Sequence, residues 1–365
     1  MAVNWSQAYS ELIDYVQNNP EIKISSRVVR IPSAIRDDFY SLHKKVRTIF
    51  LKEKTPELLE KSELLSSHYL KTREEVMRIV GLKEISIYGS VESFLLDPVE
   101  QLIKELFNPL MLLLKGELDI AGYEATAMDN AEKAFKHLYR SGYQKWLVLS
   151  FLKLLKADKV FKVFPEEVTE DDTLRHGVQI EHKIPDPEEV DNIYFRREPE
   201  VGFMVPDLLI HSALFDRYYS FTSEIIKALA AATNHSKKRE WLPGDPNIVF
   251  EGDIILVYVD TSLNDLSLVT DMNTTCKADL ILECKVYEKW HEKEGLSSIL
   301  KHYAKYKPRM GTFIITFDPI TDSLKKEIMT ANLTDEDKVD IDYPKISFIQ
   351  AGFDQTRLKP VINAL

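Results

Sequence analysis

Cysteine is scarce in this chain, which has only two among 365 residues. Cys276 and Cys284 have no cluster of cysteine and histidine around them, so the sequence contains no structural zinc site. Neither cysteine needs a disulfide partner, and Cys284 is most simply a small core residue. Long apolar runs are also missing. The apolar segment 108–115 is far too short to span a bilayer, and we expect no membrane association.

A secretory signal is missing as well, because residues 1–6 do not combine a basic region with an apolar one. Together with the few cysteines, this predicts a cytoplasmic protein. The hydrophobic share of 44% and the charged share of 29% are ordinary values for globular proteins. A length of 365 residues is sufficient for two or three domains.

Positive charge does not predominate either. The formal net charge is −11, which argues against a general nucleic-acid binder, since phosphate affinity comes from lysine and arginine. The distribution of charge matters more than its sum, and two basic clusters stand out in the second half of the chain. The first cluster comprises Lys237, Lys238 and Arg239, and the second comprises Lys301, Lys305, Lys307 and Arg309. Both are equally compatible with a solvated helix face.

Helical patterns dominate the first 157 residues, which we predict to form a helical module. Glycine and proline are sparse there, no low-complexity linker interrupts the segment, and no repeat of 34 or 40 residues is evident. Amphipathic spacing is clear between Leu58 and Val80. The predicted helices cover residues 6–18, 33–52, 56–80, 91–114, 127–138 and 143–155. The sequence assigns no chemistry to this module.

Residues 158–217 are rich in strand signals. We predict that they form a β-rich segment that either continues the sheet that follows or packs on it. Turn-forming sequences such as Pro185-Asp186-Pro187 separate the strand signals. The runs that alternate or stay apolar cover residues 160–164, 177–181, 192–195 and 202–211.

The most informative stretch is residues 278–286, where an apolar run typical of a buried strand ends in Glu283, Cys284 and Lys285. Side chains alternate along a strand, so Glu283 and Lys285 share one face while Cys284 points to the other. An acid and an amine in mid-sheet cost desolvation energy unless they meet a partner, a metal or solvent. A carboxylate can hold a divalent cation, and a neighbouring ammonium can orient a water or stabilise developing charge. Taken alone, the pattern is more typical of a solvated strand edge.

Two strands are predicted ahead of the Glu283 strand. Residues 252–260 are β-branched and apolar, residues 261–265 are typical of a turn, and residues 266–273 alternate as a second strand. Three successive strands joined by short turns predict an antiparallel meander.

Helices and a fourth strand flank this predicted meander. Residues 222–232 favour a helix, with Thr222 or Ser223 available as its N-cap. Residues 296–306 have helical spacing, and residues 312–317 follow as a buried strand. The predicted order is therefore α-β-β-β-α-β.

This order, with an acid ahead of Glu-x-Lys on the third strand, resembles the PD-(D/E)xK superfamily, which includes restriction endonucleases, Holliday-junction resolvases and phage-defence nucleases. The resemblance covers roughly residues 218–318, under a third of the chain. It implies an α+β protein, with the helical N-terminal module followed by a restriction-endonuclease-like core with a mixed sheet in residues 218–365. It also implies hydrolysis of phosphodiester bonds in DNA, with Mg²⁺, or Mn²⁺, as cofactor.

The resemblance implies a set of site residues. Glu283 and Lys285 match the Glu-x-Lys half directly. The family's preceding acid lies on the second strand, which favours Asp271, while Asp253 is the alternative because it opens a strand. Either aspartate would hold the metal together with Glu283, and Lys285 would position or activate the attacking water. Glu224, on the first helix, would be the additional acid that many members carry.

Two other acids fit this pattern poorly. Asp279 shares a face with Glu283 but lies four residues away, at roughly 13 Å along a strand. Asp207, in a literal Pro-Asp pair, precedes the first predicted helix and so has the wrong place in the order.

The implied function is a metal-dependent DNA endonuclease of the restriction or phage-defence type, with double-stranded DNA as its partner. The two basic clusters are then the first candidates for phosphate contacts. The alternative is a non-catalytic DNA- or protein-binding module that retains the fold. The sequence leaves open the DNA sequence read, the role of the helical module and the oligomeric state, a homodimer being one option.

Overall fold

The computed structural model of the chain describes residues 4–25, 28–87, 89–162, 187–195, 208–223, 254–263, 278–287, 290, 299, 308–330 and 345–365. Within them the chain combines helices with a mixed β-sheet, which confirms the α+β class. It divides into two compact units, one of residues 1–70 and 89–142, the other of residues 71–88 and 143–365. None of the helices in the described ranges has both the length and the apolar character that a membrane crossing requires.

The first unit is helical. Its helices are α1 (Trp5–Asn18), α2 (Arg36–Lys54), α3 (Pro56–Val80) up to residue 70, α4 (Gly89–Leu96), α5 (Pro98–Lys104), α6 (Phe107–Leu114) and α7 (Ile120–Leu154) up to residue 142. A short antiparallel pair, β1 (Lys23–Ile24) and β2 (Val29–Arg30), lies between α1 and α2. α1 begins with a capping box, in which the Asn4 side chain accepts from the Gln7 N–H at 2.8 Å and Gln7 accepts from the Asn4 N–H at 3.2 Å.

The single helix predicted over residues 91–114 is wrong, because the chain forms α4, α5 and α6 there. Pro98 begins α5, since proline has no N–H with which to continue the preceding helix. The Asp97 side chain caps the new helix by accepting from the Glu100 N–H at 3.0 Å.

The two helices predicted over residues 127–138 and 143–155 belong to one continuous helix, α7. Gly142 lies inside it. A Cβ at this position would lie 2.9 Å from Leu95 Cδ2 and 3.1 Å from Leu65 Cδ2. Glycine here allows two leucine side chains to pack closely against the helix and does not mark a helix end.

His43 lies on α2 in the interior of the first unit and is fully buried. Its ring is near those of Phe39 and Phe107, with centroids 5.9 and 4.8 Å away. Neither ring nitrogen has a hydrogen-bond partner among the described residues. Burial, reinforced by the charge of nearby Arg47, lowers the pKa of His43 to about 3. The imidazole is therefore neutral in the folded protein at ordinary pH.

The second unit is built on an eight-stranded mixed sheet in the order β12-β11-β10-β9-β8-β7-β4-β5. The strands are β4 (Ala157–Lys162), β5 (Glu188–Val190), β7 (Leu208–Ser212), β8 (Arg217–Ser223), β9 (Ile254–Asp260), β10 (Leu280–Lys285), β11 (Thr312–Thr316) and β12 (Ile346–Gln350). β10, β11 and β12 are parallel, and the other neighbours pair antiparallel.

The remaining elements of this unit complete the mixed architecture. β3 (Glu84–Ile87) and β6 (Asn192–Phe195) form a separate parallel pair, and α8 (Asp322–Thr330) and α9 (Lys359–Ala364) follow β11 and β12. The segment predicted as a β-rich middle supplies β4, β5 and β7, so it continues the large sheet. The predicted boundaries at residues 157 and 217 do not coincide with the division into two units.

The predicted meander is wrong, because β9 pairs directly and antiparallel with β10. A strand at residues 266–273 between them would separate β9 from β10 and make the two parallel. There is no place for it, since the other side of β9 is paired with β8 and the other side of β10 with β11. Residues 266–273 themselves lie outside the described residues.

Antiparallel neighbours do occur, but on the other side of β9, where β8, β7, β4 and β5 continue the antiparallel run that begins with β10 and β9. Thr222 and Ser223, predicted at the start of a helix, are the last residues of β8. They lie opposite Leu256 and Ile255 of β9. The rest of that predicted helix and the helix predicted over residues 296–306 fall outside the described residues, apart from Ile299.

Contacts between residues that are distant in the sequence hold the second unit together. The Tyr143 hydroxyl of α7 donates to the carbonyl of Gly352 at 2.8 Å. The Gln355 side chain donates to the Thr72 hydroxyl of α3 at 2.9 Å. Around Tyr143, an aromatic cluster forms with Trp146, Phe317 and Phe353.

Gly311 permits a close approach between the ends of β11 and β12. It has a φ of +100°, and a Cβ there would lie 2.2 Å from the carbonyl oxygen of Lys345, which precedes β12. Gly81 has a similar φ of +80°, but nothing lies within 4 Å of its Cβ position. A side chain at Gly311 would meet both backbone strain and a steric clash, whereas one at Gly81 would meet backbone strain alone.

We expect Gly311→Ala to cost about 3 kcal/mol or more in the free energy of unfolding, because it adds a clash with backbone to left-handed strain. The matched variant Gly81→Ala should cost only about 1–2 kcal/mol, from strain alone. Urea unfolding followed by circular dichroism measures both. Equal losses in the two variants would contradict the close approach at Gly311.

We expect His43 to make the first unit sensitive to acid. The unfolded chain binds a proton at His43 near pH 6.5, whereas the folded protein does so only near pH 3. Its contribution to stability is thus fully present above pH 6.5 and is lost as the pH falls, by about 3 kcal/mol at pH 4. His43→Phe should therefore show a weaker loss of stability between pH 6.5 and 4 than the parent, measured by urea unfolding at several pH values.

Phe39→Leu is the control, because it weakens the same core and keeps the histidine. Its stability curve should run below that of the parent at every pH with the same slope. Parallel curves for His43→Phe and the parent would show that His43 does not control the acid response.

Candidate functional site

Glu283 and Lys285 lie together on β10, an interior strand of the large sheet. Lys285 Nζ is 3.4 Å from Glu283 Oε2, so the two side chains form an ion pair on one face. Glu283 is 0% exposed and Lys285 is 3% exposed. A solvated strand edge, the ordinary explanation of such a sequence pattern, does not describe side chains this deeply buried.

The face of the sheet that carries this pair is buried and mixes polar with aliphatic side chains. Glu283 lies opposite Ile254 of β9 and Ile314 of β11, and Lys285 lies opposite Thr316. Residues directly opposite each other share a face. The polar side chains of this face, each at most 4% exposed, are Ser220, Thr222, Tyr258, Glu283, Lys285, Thr312 and Thr316.

The other face is apolar. It carries Phe221, Val257, Leu282 and Ile315, and the ring of Phe221 stacks on Phe151 of α7 with centroids 6.4 Å apart. Burial of this face supplies hydrophobic stabilisation, to which the aliphatic side chains of the mixed face also contribute. The two sides of the sheet therefore differ in composition, since the charged pair lies on one of them.

Three side chains around the pair were not identified from the sequence. Trp290 is 6% exposed, and its ring centroid lies 5.6 Å from Lys285 Nζ, a cation–π contact. Thr316 donates its hydroxyl to the carbonyl of Asp318 at 2.8 Å. The Thr312 hydroxyl has no hydrogen-bond partner among the described residues. The two threonines have strand spacing in the sequence, but their place beside Glu283 depends on a register that the sequence does not reveal.

Asp279 and Arg309 form an ion pair at the start of β10, with 2.9 Å between Arg309 Nε and Asp279 Oδ1. The second carboxylate oxygen of Asp279 accepts the N–H of Val259 at 2.7 Å. Asp279, which precedes β10, is thus bonded to β9. Both of its carboxylate oxygens are engaged in these structural contacts. Arg309, one of the predicted DNA contacts, is two-thirds exposed and engaged in this pair.

The other predicted site residues lie outside the described residues. They are the acids Asp253, Asp271 and Glu224 and the basic residues Lys237, Lys238, Arg239, Lys301, Lys305 and Lys307. Within the described ranges, no group of three or more histidine, cysteine or acidic side chains is placed to hold a metal ion.

Two further polar features occur elsewhere in the described residues. His211 holds Asp158 at 2.7 Å through Nδ1 and Asp216 at 3.3 Å through Nε2, so both ring nitrogens are engaged. In the first unit, a cavity of about 360 Å³ is lined mainly by Ser90, Gln101, Glu105, Asn130, Lys133 and His137. Its mixture of charges and amides does not select a class of ligand. The charged pair on β10 is the stronger candidate site.

We expect Lys285→Met to lower the free energy of unfolding by about 3–5 kcal/mol, because it leaves a buried carboxylate without its ammonium. The double variant Glu283→Leu with Lys285→Met should recover most of this loss, since no charge then remains buried. Urea unfolding in metal-free buffer compares the two. A loss below about 1 kcal/mol for Lys285→Met alone would show that the carboxylate does not depend on Lys285.

Comparison with known proteins gives no relative for the chain: no family model, no curated protein and no solved structure matches it. The site must therefore be interpreted from its own geometry and chemistry.

Proposed function

We propose that the protein is a metal-dependent DNA endonuclease whose active site contains Glu283 and Lys285. The observation that carries the proposal is the place of this pair in the sheet. Glu-x-Lys lies on β10, which pairs antiparallel with β9 and parallel with β11, and β9 pairs antiparallel with β8. The antiparallel run continues beyond β8 through β7, β4 and β5, so β10 is the third strand when the proposed core is counted from β8. Glu-x-Lys on the third strand is the arrangement that the PD-(D/E)xK resemblance implies.

Burial of the pair supports the same proposal. Moving each of the two charges out of water costs several kcal/mol. Such a pair therefore adds little to the free energy of unfolding. Its retention on an interior strand is explained if the carboxylate and the ammonium act on a ligand. A cluster of such groups inside a protein is a common property of catalytic sites.

The strand register removes the reason for preferring Asp271 as the partner of Glu283 and leaves both aspartates as candidates. β9, not residues 266–273, is the antiparallel neighbour of β10, and its first residue, Ile254, lies opposite Glu283. Asp253 immediately precedes Ile254 in the sequence. Strict alternation would put Gly252 on the Glu283 face, so Asp253 serves as the second acid if the strand begins with a bulge, which glycine favours. Asp271 is the other candidate.

In this proposal, Glu283 and one of these aspartates hold Mg²⁺ or Mn²⁺ through carboxylate oxygens, the ligands that such hard cations prefer. When bound, the metal ion makes water more acidic and neutralises charge on the phosphate. Lys285 holds the attacking water or stabilises the extra negative charge of the pentacovalent phosphorus. Glu224 is the additional acid, and the two basic clusters contact the phosphates of double-stranded DNA.

The proposed setting is the cytoplasm, and a homodimer would bring two such sites to the two strands of a duplex. DNA of this kind is the substrate expected for an enzyme of the restriction or phage-defence type.

A non-catalytic DNA- or protein-binding module is the second candidate, and one observation favours it. Glu283 and Lys285 are almost inaccessible to solvent, so a phosphodiester reaches them only if the side chains that cover them move. A module that kept the fold without cleaving DNA would have no need of such an opening.

We expect the parent protein to nick supercoiled plasmid DNA in Mg²⁺ and to stop when EDTA removes the metal. Glu283→Gln keeps the side-chain shape but loses the negative charge, and should slow single-turnover nicking by at least about 10²-fold. The matched control is Glu189→Gln, which changes an exposed glutamate of β5 in the same sheet and should nick as the parent does.

Circular dichroism must show that all three proteins are folded. DNA binding without Mg²⁺-dependent nicking by the parent would support the binding module. Equal nicking by Glu283→Gln and the parent would remove Glu283 from the active site.

A further inference from the structure

We propose that Trp290 is a positioning residue for Lys285, an inference that rests on the proposed nuclease function. The Lys285 ammonium has contacts with Glu283 and with Trp290. Glu283 Oε2 is 3.4 Å from Nζ, and the centroid of the Trp290 ring is 5.6 Å from the same atom. Both Lys285 and Trp290 are almost fully buried, so water does not screen this contact.

A lysine side chain has a long flexible stem, and its ammonium must be held in one place to act on a reacting group. Glu283 alone does not ensure this in the proposed enzyme. A divalent cation bound to Glu283 would neutralise part of the carboxylate charge that attracts Lys285. The positive charge of the cation would also repel the ammonium.

An aromatic ring meets this requirement in a way that a third acid would not. The face of the indole attracts a cation through its negative quadrupole, but it offers no oxygen donor to Mg²⁺. Trp290 therefore retains Lys285 beside the metal ion without competing for the metal ion. This assigns to Trp290 a role in the rate of the reaction and not in the binding of DNA.

The decisive comparison is Trp290→Leu against Trp290→Phe in single-turnover nicking over a range of DNA concentrations. Both changes shorten the side chain, but only phenylalanine keeps an aromatic face. Trp290→Leu should lower the maximal rate about tenfold, with the DNA concentration for half-maximal rate unchanged, whereas Trp290→Phe should stay within about threefold of the parent. Equal rate losses in the two variants, or a loss in DNA affinity alone, would overturn the positioning role.

A second measurement tests the contact without any nuclease activity. Trp290→Leu is introduced into the parent and into the Glu283→Leu with Lys285→Met background, where no ammonium and no buried charge remain. The midpoint of urea unfolding should shift more in the parent than in that background, because only the parent loses a cation–π contact. Equal shifts would show that Trp290 does not hold Lys285.

The two measurements distinguish the failure of each proposal. If the parent does not nick DNA, the proposed function fails, and the unfolding cycle alone decides whether Trp290 holds the ammonium. If the parent nicks DNA but the shifts are equal, the nuclease function stands and the inference on Trp290 is wrong.

Discussion

The ion pair between Glu283 and Lys285, buried on an interior strand, is the main constraint on the structure of the sheet around it. Neither Glu283 nor Lys285 can stay charged in a dry interior without a partner, and each has the other at 3.4 Å, while the ring of Trp290 lies 5.6 Å from the Lys285 ammonium. Aliphatic side chains on the same face, among them Ile254, Ile281 and Ile314, are fully buried around the pair, and the opposite face adds the packing of Phe221 on Phe151 of α7. Both faces of the sheet therefore contribute to hydrophobic burial.

The same low dielectric that makes the charged pair costly also makes it effective. A carboxylate and an ammonium act more strongly on a bound cation or phosphate when water does not screen them. In the proposed nuclease this burial would strengthen the action of Glu283 and Lys285, whereas a binding module would have no need of access to them.

Local sequence signals predicted some elements closely, whereas the pairing of the strands could not be read from them. The bounds of α3, which begins at Pro56, and of β6 were predicted residue for residue, and the strands β9, β10 and β11 within two residues. Alternation along β10 also brought Glu283 and Lys285 to one face. The sequence did not predict β8 or β12, because Thr222 precedes a helix-favouring segment and strand partners leave no local signal.

The choice between Asp271 and Asp253 as the acid beside Glu283 shows why the strand register must be known. From sequence alone, Asp271 lay on the presumed neighbour of the Glu283 strand, and Asp253 was the alternative. The direct pairing of β9 with β10 removes the reason for preferring Asp271, although no residue of either strand was assigned to the wrong type of structure. The depth at which the charged pair is buried was equally hidden, since Glu-x-Lys has the same sequence at a strand edge and in a sheet interior.

The contact between Gln355 and Thr72 has a consequence for how the protein is made. These residues are 283 positions apart, so at 5–20 residues per second Thr72 leaves the ribosome roughly 15 to 60 s before its partner. β12 also follows late, and until it emerges β11 offers an open parallel edge. The 34 residues that separate the ends of β11 and β12 take roughly 2 to 7 s to emerge at the same rates, and for that time the edge of β11 can pair with another chain.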